Sequence, residues 1–460
     1  MAFALRPYQQ TIIDQARAQL REVPRVLIQA PTGAGKTALT ASMLGTAAAR
    51  GHRSFFVVHR AELVEQSAAT FRAVGISYGI IAAGPKPDPA APVQIASIDT
   101  LKNRLAKVAP PALVVWDEAH HIAAAGWTKV MQAYPTAKHV GLTATPWRLD
   151  GSGLGRHFSR MVRGPSVRWL IDEGYLSRYR AFAPNTPDLT GVHTRAGDYI
   201  QTELDELMGQ KAIVGNAVAH YRRLAAGKRA VAFCVSIKHS RNVAEQFRAA
   251  GFVAHHLDGE TPREERRAAI QAFRDGHIQV LCNVDLFGEG FDLPAIEVAI
   301  LLRPTKSLGL YLQQVGRALR PYPRKASALI LDHAANMRQH GLPCDDRDWT
   351  LEDRERRKKG EREDVEPIKQ CPQCYAVHAP APVCPECGHV YQSAPRKLTE
   401  VDGELTEVDI ERAREMRRAE QREARSLDDL IRLAQARGYK NPAAWAAHVM
   451  TARMARGRAA

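Results

Sequence analysis

Apolar residues in this chain gather in short, nearly unbroken runs, separated by longer stretches of mixed character. The first series comprises Arg25 to Ala30, Ser54 to Val58, Val93 to Ala96, Leu113 to Trp116 and Val140 to Leu142. Runs of this kind, without polar alternation, predict strands buried on both faces, and the helix-prone segments between them predict crossovers. The two together describe a parallel sheet covered by helices. The pattern recurs at Ala230 to Val235, Phe252 to Leu257, Gln279 to Asn283, Val298 to Leu302 and Ala328 to Leu331. Two α/β units in tandem are therefore expected, over 1–164 and 206–345, with a connector at 165–205 whose most irregular part runs from Pro165 to Pro187. After Leu342 the texture changes. Leu351 to Glu366 is almost all charge and predicts a solvated helix or linker at 346–366. A Cys/Pro-rich module follows at 367–395. A helical tail at 396–460 combines a charged stretch, Asp409 to Arg425, with an amphipathic end carrying Leu427, Leu430, Ile431, Leu433, Tyr439 and Trp445.

Composition narrows the class. The chain has 460 residues, 45% hydrophobic and 25% charged, as a multidomain globular protein does. Its formal charge of +15 points to a polyanionic partner, with nucleic acid the first candidate. The opening Met1-Ala-Phe-Ala-Leu-Arg-Pro-Tyr8 has no basic segment ahead of a long apolar core. No run approaches the roughly 20 apolar residues of a membrane span. A cytoplasmic location without a membrane partner is the expectation.

The candidate chemistry begins where the first apolar run ends. Pro31-Thr32-Gly33-Ala34-Gly35-Lys36-Thr37 lies between a predicted strand and a predicted helix. Gly33 and Gly35 let backbone N–H groups close around phosphate oxygens, aided by the positive end of the helix that follows. Lys36 would reach the β- and γ-phosphates of ATP, and the Thr37 hydroxyl would hold Mg²⁺. The generic pattern opens with Gly, whereas Ala30 stands there. The run Val114-Val-Trp-Asp117-Glu118-Ala-His120 puts two carboxylates at the C-terminal edge of a parallel sheet. Asp117 would take Mg²⁺ through water, and Glu118 would orient and deprotonate the attacking water. In the second unit, Gln313, Arg317 and Arg320 fall at i, i+4 and i+7, on one face of a predicted helix. Arginines brought from a separate domain would stabilise the charge developing on the γ-phosphate and make catalysis depend on domain closure.

Taken in order, the segments from Leu5 to His333 resemble a superfamily 2 helicase of the DEAD/DEAH-box type, which implies two RecA-like domains. Leu5-Arg-Pro-Tyr-Gln9 is similar to the adenine-reading Q motif, implying Gln9 as the adenine contact. Ala30 to Thr37 is motif I in the form that superfamily uses. Val57-Val-His59-Arg60 to Gln66 resembles motif Ia, and Ser97-Ile-Asp-Thr100-Leu a later strand-contacting motif. The resemblance thus implies His59, Arg60 and Thr100 as nucleic-acid contacts. Asp117 to His120 reads D-E-A-H, and Leu142-Thr143-Ala-Thr145-Pro matches motif III. His120, Thr143, Thr145 and Gln313 are implied as coupling residues. Val231 to Ser236 sits where motif IV belongs. Asn283 to Pro294 resembles motif V, with Asp292 near the nucleotide, and Gln313 to Arg320 is motif VI.

His256-Leu-Asp-Gly259, Phe273-Arg-Asp-Gly276, the cysteine module and the ending Arg437 to Trp445 are together similar to RadD-like bacterial and phage helicases. That similarity implies a role in DNA repair or recombination, with single-stranded or forked DNA the expected partner ahead of RNA. This chain has fewer insertions in the motor and reads Asn441-Pro-Ala-Ala-Trp445 where a Gly would precede the Trp. Other readings stay open: a duplex translocase that does not separate strands, an RNA helicase, a binding adaptor with an inactive motor, and a restriction-system motor.

Seven cysteines, an odd number, argue against a disulfide framework. Cys371-Pro-Gln-Cys374 and Cys384-Pro-Glu-Cys387 form paired turns whose four thiolates suit tetrahedral Zn²⁺. An iron centre is the alternative, and His378 and His389 stand as alternative ligands. A structural role is expected ahead of a nucleic-acid-reading one. Cys234 and Cys282 read as core residues, and Cys344 carries no assignment. Trp445 and Tyr439 read as anchors of a mini-core, with docking of a protein partner the second possibility.

Overall fold

The computed structural model describes residues 5–457 except 149, 184–186, 196, 210, 285, 287–292, 354–365, 392–414, 416–418, 422, 425, 438 and 440. It forms two compact units, Met1–Tyr391 and Gln392–Ala460.

The first sheet is built from β1 (Arg25–Gln29), β2 (Ser54–Val58), β3 (Tyr78–Ile81), β4 (Val93–Ser97), β5 (Leu113–Trp116), β6 (Lys138–Thr143) and β7 (Arg160–Arg163). Their order is β3-β4-β2-β5-β6-β1-β7, with every pair parallel. Burial follows the strand period of two on both faces. Val26, Ile28, Phe56 and Val58 join one core, while Leu27, Phe55 and Val57 join the opposite one around Trp116 and Trp127. This is why the strands read as unbroken apolar runs.

The second sheet takes β8 (Tyr179–Phe182) from within the stretch expected as connector. A small hairpin follows, β9 (Thr194–Arg195) with β10 (Asp198–Tyr199). The remaining strands are β11 (Ala230–Phe233), β12 (Ala254–Leu257), β13 (Val280–Asn283), β14 (Val298–Leu301) and β15 (Ala328–Asp332). The order is β12-β13-β11-β14-β15-β8, again all parallel. Cys234 and Cys282 are wholly buried in this domain's core.

Beyond β15, residues 343–353 run back onto the first domain. In the cysteine module, β16 (Lys369–Gln370) and β17 (Val377–His378) form a two-stranded ribbon. That module seats on edge strand β8 through a Phe182–Ala376 bridge, an Ala183 N–H to Tyr375 carbonyl bond of 3.0 Å and an Arg180–Glu386 ion pair. It thereby covers an edge that would otherwise present unpaired backbone. In the second unit, helices Leu427–Ala436 and Pro442–Gly457 pack around Leu430, Ala446 and Val449. Most of the charged stretch from Asp409 to Arg425 lies outside the described residues. Among the described residues, no helix is long and apolar enough to cross a membrane.

Candidate active site

Strands β1, β6 and β5 are neighbours, so the segments leaving their C-terminal ends emerge side by side. They are the Gly-rich loop, Thr143 to Thr145, and Asp117-Glu118. The loop turns through Gly33 at φ 88° and Gly35 at φ 81°, and helix Lys36–Ala49 starts directly behind it. These left-handed torsions are open to glycine at little cost. Space is equally restrictive. A Cβ on Gly33 would sit 2.7 Å from Leu176 Cδ2, and one on Gly35 would sit 2.3 Å from Gln9 Nε2. Gln9 is buried against this turn. Its Nε2 donates to the Ala34 carbonyl at 3.1 Å and its Oε1 accepts from Arg6 N–H at 3.0 Å. The neighbouring Tyr8 hydroxyl also donates to Ala34 O, at 2.8 Å, a contact the motif reading did not include. The Ala30 position is fully buried against Gly164, with its N–H donating to Thr143 O at 2.9 Å.

Lys36 Nζ lies 3.5 Å from Glu118 Oε1, and Glu118 Oε2 lies 3.5 Å from His120 Nδ1. Glu118 holds φ 45°, an uncommon conformation outside glycine that turns its side chain back toward the loop. Asp117 is pushed up to about 6, chiefly by burial and then by the Glu118 charge, with Lys36 and His59 pulling the other way. Two adjacent carboxylates, Glu118 buried and Asp117 half-buried, beside one lysine carry surplus negative charge, which suits a divalent cation. His120 Nδ1 meets Thr143 Oγ1 at 3.3 Å, and Thr143 Oγ1 donates to Thr145 O at 2.8 Å. Thr145 and Gln313 then line a cavity of about 480 Å³ together with His120, Trp147 and Arg303. The four residues expected to couple the sites, His120, Thr143, Thr145 and Gln313, are thus brought together across the two domains.

The candidate nucleotide pocket, about 410 Å³, is walled by Thr32, Gly33, Gly35, Lys36, Thr37, Asp117 and Glu118 on one side and by Arg317 and Arg320 on the other. One expectation needs correction here. The helix carrying Gln313 and Arg317 spans Leu308–Ala318, so Arg320 lies beyond its end rather than on its face. Lys325 Nζ donates to the Ala318 carbonyl and, at 2.8 Å, to the Arg320 and Ile296 carbonyls; Ser177 N–H takes Leu319 O at 2.7 Å. These donors satisfy the free carbonyls and turn the chain, so both arginines still reach one pocket. No sequence signal singled out Lys325. Burial lowers the Arg320 guanidinium to about 10, which leaves it charged at neutral pH.

Of the implied nucleic-acid contacts, His59 and Arg60 follow β2 and Thr100 follows the adjacent β4, so all three share one sheet edge. His59 also lies 5.0 Å, ring to ring, from His121 and acts on the Asp117 carboxylate. Asp292 lies outside the described residues.

Cys371, Cys374, Cys384 and Cys387 converge with all Sγ atoms within 4.8 Å of one another. The Cys371–Cys387 and Cys374–Cys384 separations are 3.7 Å. A tetrahedron with Zn–S bonds of about 2.3 Å has S···S edges of about 3.8 Å, so the four thiolates fit that ion. Tyr375 at φ 65° and Gly388 at φ 74° turn each knuckle, with N–H bonds back to the Cys371 and Cys384 carbonyls. His378 is occupied with Tyr391 at 2.7 Å.

Residues 2–148 match the family described as type III restriction enzyme, res subunit, and residues 212–322 match the helicase conserved C-terminal domain. The chain belongs to the superfamily 2 helicases. It is 34% identical to the 51.5 kDa protein of a Lactococcus phage (isolate 7-9), over 90% of this chain and 89% of that one. It is 28% identical to the Saccharomyces cerevisiae protein named ATP-dependent helicase IRC3, over 71% of this chain but only 51% of the yeast protein. A third relative is the DNA 3'-5' translocase XPB2 of Sulfurisphaera tokodaii, 24% identical over 70% of this chain and 80% of that one. The helicase family, with its nucleic-acid-dependent ATPase activity, accounts for a pocket that needs both domains to be complete.

Proposed function

We propose that the chain hydrolyses Mg-ATP in the interdomain pocket and uses the resulting closure to move along or unwind DNA, in repair or recombination. The observation that carries this reading is the joint lining of one pocket by Lys36, Asp117 and Glu118 from the first domain and Arg317 and Arg320 from the second. In this reading the Gly33–Gly35 turn cradles the phosphates and Lys36 exchanges Glu118 for the β- and γ-phosphates. Released from that ion pair, Glu118 orients the attacking water and receives its proton, while Arg317 and Arg320 meet the charge that builds on the γ-phosphate. Bound between Thr37 and Asp117, Mg²⁺ would neutralise part of the phosphate charge. Gln9 would trade its bond to Ala34 for adenine, and Asp292 would approach the nucleotide from motif V. His59, Arg60 and Thr100 would hold the strand backbone on the edge shared by β2 and β4. The four cysteines would hold Zn²⁺ in a structural role. The formal charge of +15 and an archaeal relative named as a DNA translocase support DNA as the partner. The resemblance to RadD-like proteins supports the repair setting.

A second reading is duplex translocation without strand separation. The relative named as a translocase and the match to a restriction-enzyme subunit favour it. Steady-state ATP hydrolysis with single-stranded, duplex and forked DNA and with RNA, using Lys36→Ala as the blank, tests the proposal. Stimulation by a DNA supports it, and stimulation by RNA alone moves the protein to RNA remodelling. Absence of hydrolysis with every substrate leaves an adaptor. Strand displacement on the stimulating DNA separates the two motor readings.

A further inference from the structure

Residues 343–353 span the end of the second predicted unit and the start of the stretch expected as a charged linker at 346–366, and the structure ties both of their ends. On the second domain, Arg347 donates to the carbonyls of His340 and Leu342 at 3.0 Å and of Asp345 at 2.9 Å. The Leu342 N–H donates to Asp345 Oδ2 at 2.7 Å, and the Tyr179 hydroxyl meets Cys344 Sγ at 3.1 Å. Two residues beyond Arg347 the chain is held by the first domain. Trp349 packs on Trp147 with ring centroids 4.9 Å apart. Gly155 N–H donates to Leu351 O at 2.8 Å, and Gly153 N–H to Asp353 Oδ1 at 2.8 Å. Leu351 joins the apolar cluster of Trp127, Leu154 and Phe158. The fit leaves no slack, because a Cβ on Gly153 would lie 2.2 Å from the Leu351 carbonyl oxygen.

We propose that this segment is a strap limiting how far the two domains separate, and that Trp349 is a positioning residue of the ATPase reaction. The inference rests on the reading of the pocket as an ATPase site. Leu351 is four Cα steps from Arg347, a span of no more than about 14 Å even when extended. While both ends are attached, Arg317 and Arg320 therefore stay near the phosphate loop. The strap also touches the chemistry at one remove. Trp147 directly follows the Thr143–Pro146 segment and walls the cavity that holds His120, Thr145 and Gln313. Trp349, Pro343 and Asp345 close a second cavity, of about 230 Å³, behind Thr32 and Gly316. Loss of the Trp349 ring would let the second domain drift away between turnovers and lower the effective concentration of the two arginines at the pocket. Nucleic acid bridging both domains would restore closure.

The experiment compares Trp349→Ala, Trp349→Phe and Gly153→Ala in the full chain, each checked for a wild-type melting profile. ATP turnover is measured with no nucleic acid and at saturating single-stranded DNA. The strap predicts that basal turnover of Trp349→Ala falls about tenfold while stimulated turnover stays within about twofold of wild type, so the stimulation ratio rises. Trp349→Phe should restore the basal rate, and Gly153→Ala, whose methyl would meet the strap's backbone at Leu351 and Glu352, should copy Trp349→Ala. Unchanged basal turnover in a folded Trp349→Ala protein overturns the proposal. So does an equal fall in both modes, which is what a merely structural defect gives. A wild-type chain that no nucleic acid stimulates overturns the motor reading alone, and the basal comparison still decides the strap.

Discussion

Gly316 sits in the helix Leu308–Ala318, between Gln313 and Arg317, and faces the phosphate loop of the other domain. A Cβ built there would lie 2.6 Å from Thr32 Cβ and 2.8 Å from Thr32 Cγ2. Carbon atoms pack best at about 3.5–4.0 Å, so Gly316→Ala places a methyl about 1 Å too close. Thr32 is buried and part of a taut loop, so it cannot swing aside freely. Overpacking of this size costs about 1–3 kcal/mol. The cost falls on the closed arrangement alone, because within its own domain the helix gains about 1 kcal/mol from exchanging Gly for Ala. A penalty of about 1–3 kcal/mol on closure corresponds to a loss of about 5- to 150-fold in the closed population and hence in turnover. The variant should therefore melt no lower than wild type while hydrolysing ATP at least about fivefold more slowly. Turnover within twofold of wild type would refute the reasoning, since the contact between Gly316 and Thr32 would then not form during the cycle.

Further outcomes follow from the same geometry. Lys36→Ala should abolish ATP turnover and leave nucleic-acid binding by fluorescence anisotropy largely intact; loss of both would break the assignment of separate sites. Metal analysis should find one zinc per chain, and Cys374→Ser should lower the melting temperature, because the module covers β8; an iron absorption band or no metal would count against Zn²⁺. His139 is buried between Trp116, whose Nε1 donates to its Nδ1 at 3.2 Å, and the Tyr134 carbonyl, 3.0 Å from its Nε2. Burial lowers it from 6.5 to about 4, so the unfolded chain takes up the proton first. Its contribution to stability is complete above about pH 6.5 and is lost as the pH falls toward about 4. The melting temperature should decline across that window, and His139→Gln, which keeps an acceptor for Trp116 and a donor for Tyr134, should decline less steeply.

The central strands of both sheets were legible because they are buried on both faces, so each reads as a solid apolar block. Of the four edge strands of the two large sheets, only Ala254–Leu257 fell within a predicted run, Phe252 to Leu257; the other three did not. Tyr78–Ile81, Arg160–Arg163 and Tyr179–Phe182 are short, and each has at least one face only partly covered, so no unbroken run announces them. The last owes its place to pairing with β15 and to the cysteine module, both remote in sequence. Within the candidate site, Lys36, Asp117, Glu118 and Thr143 could be placed from local spacing, since each lies at or shortly after the C-terminal end of a strand. Arg320 could be placed in the pocket but not in its local structure, because the helix end is set by Lys325 and Ser177 rather than by nearby residues. The strap at 343–353 was hidden for the opposite reason. From Leu351 on its composition is that of a solvated segment, and what holds it on the first domain, Trp349 on Trp147 and Leu351 in the cluster of Leu154, pairs residues some two hundred positions apart.

The most direct test of the composite pocket is the turnover of Arg320→Ala, measured at saturating ATP and single-stranded DNA alongside nucleotide binding. If the second domain completes the site, nucleotide still binds while turnover falls about 10³-fold or more, the range seen when such an arginine is removed. Unchanged turnover would take Arg320 out of the chemistry, and with it the claim that hydrolysis depends on the two domains closing on one nucleotide.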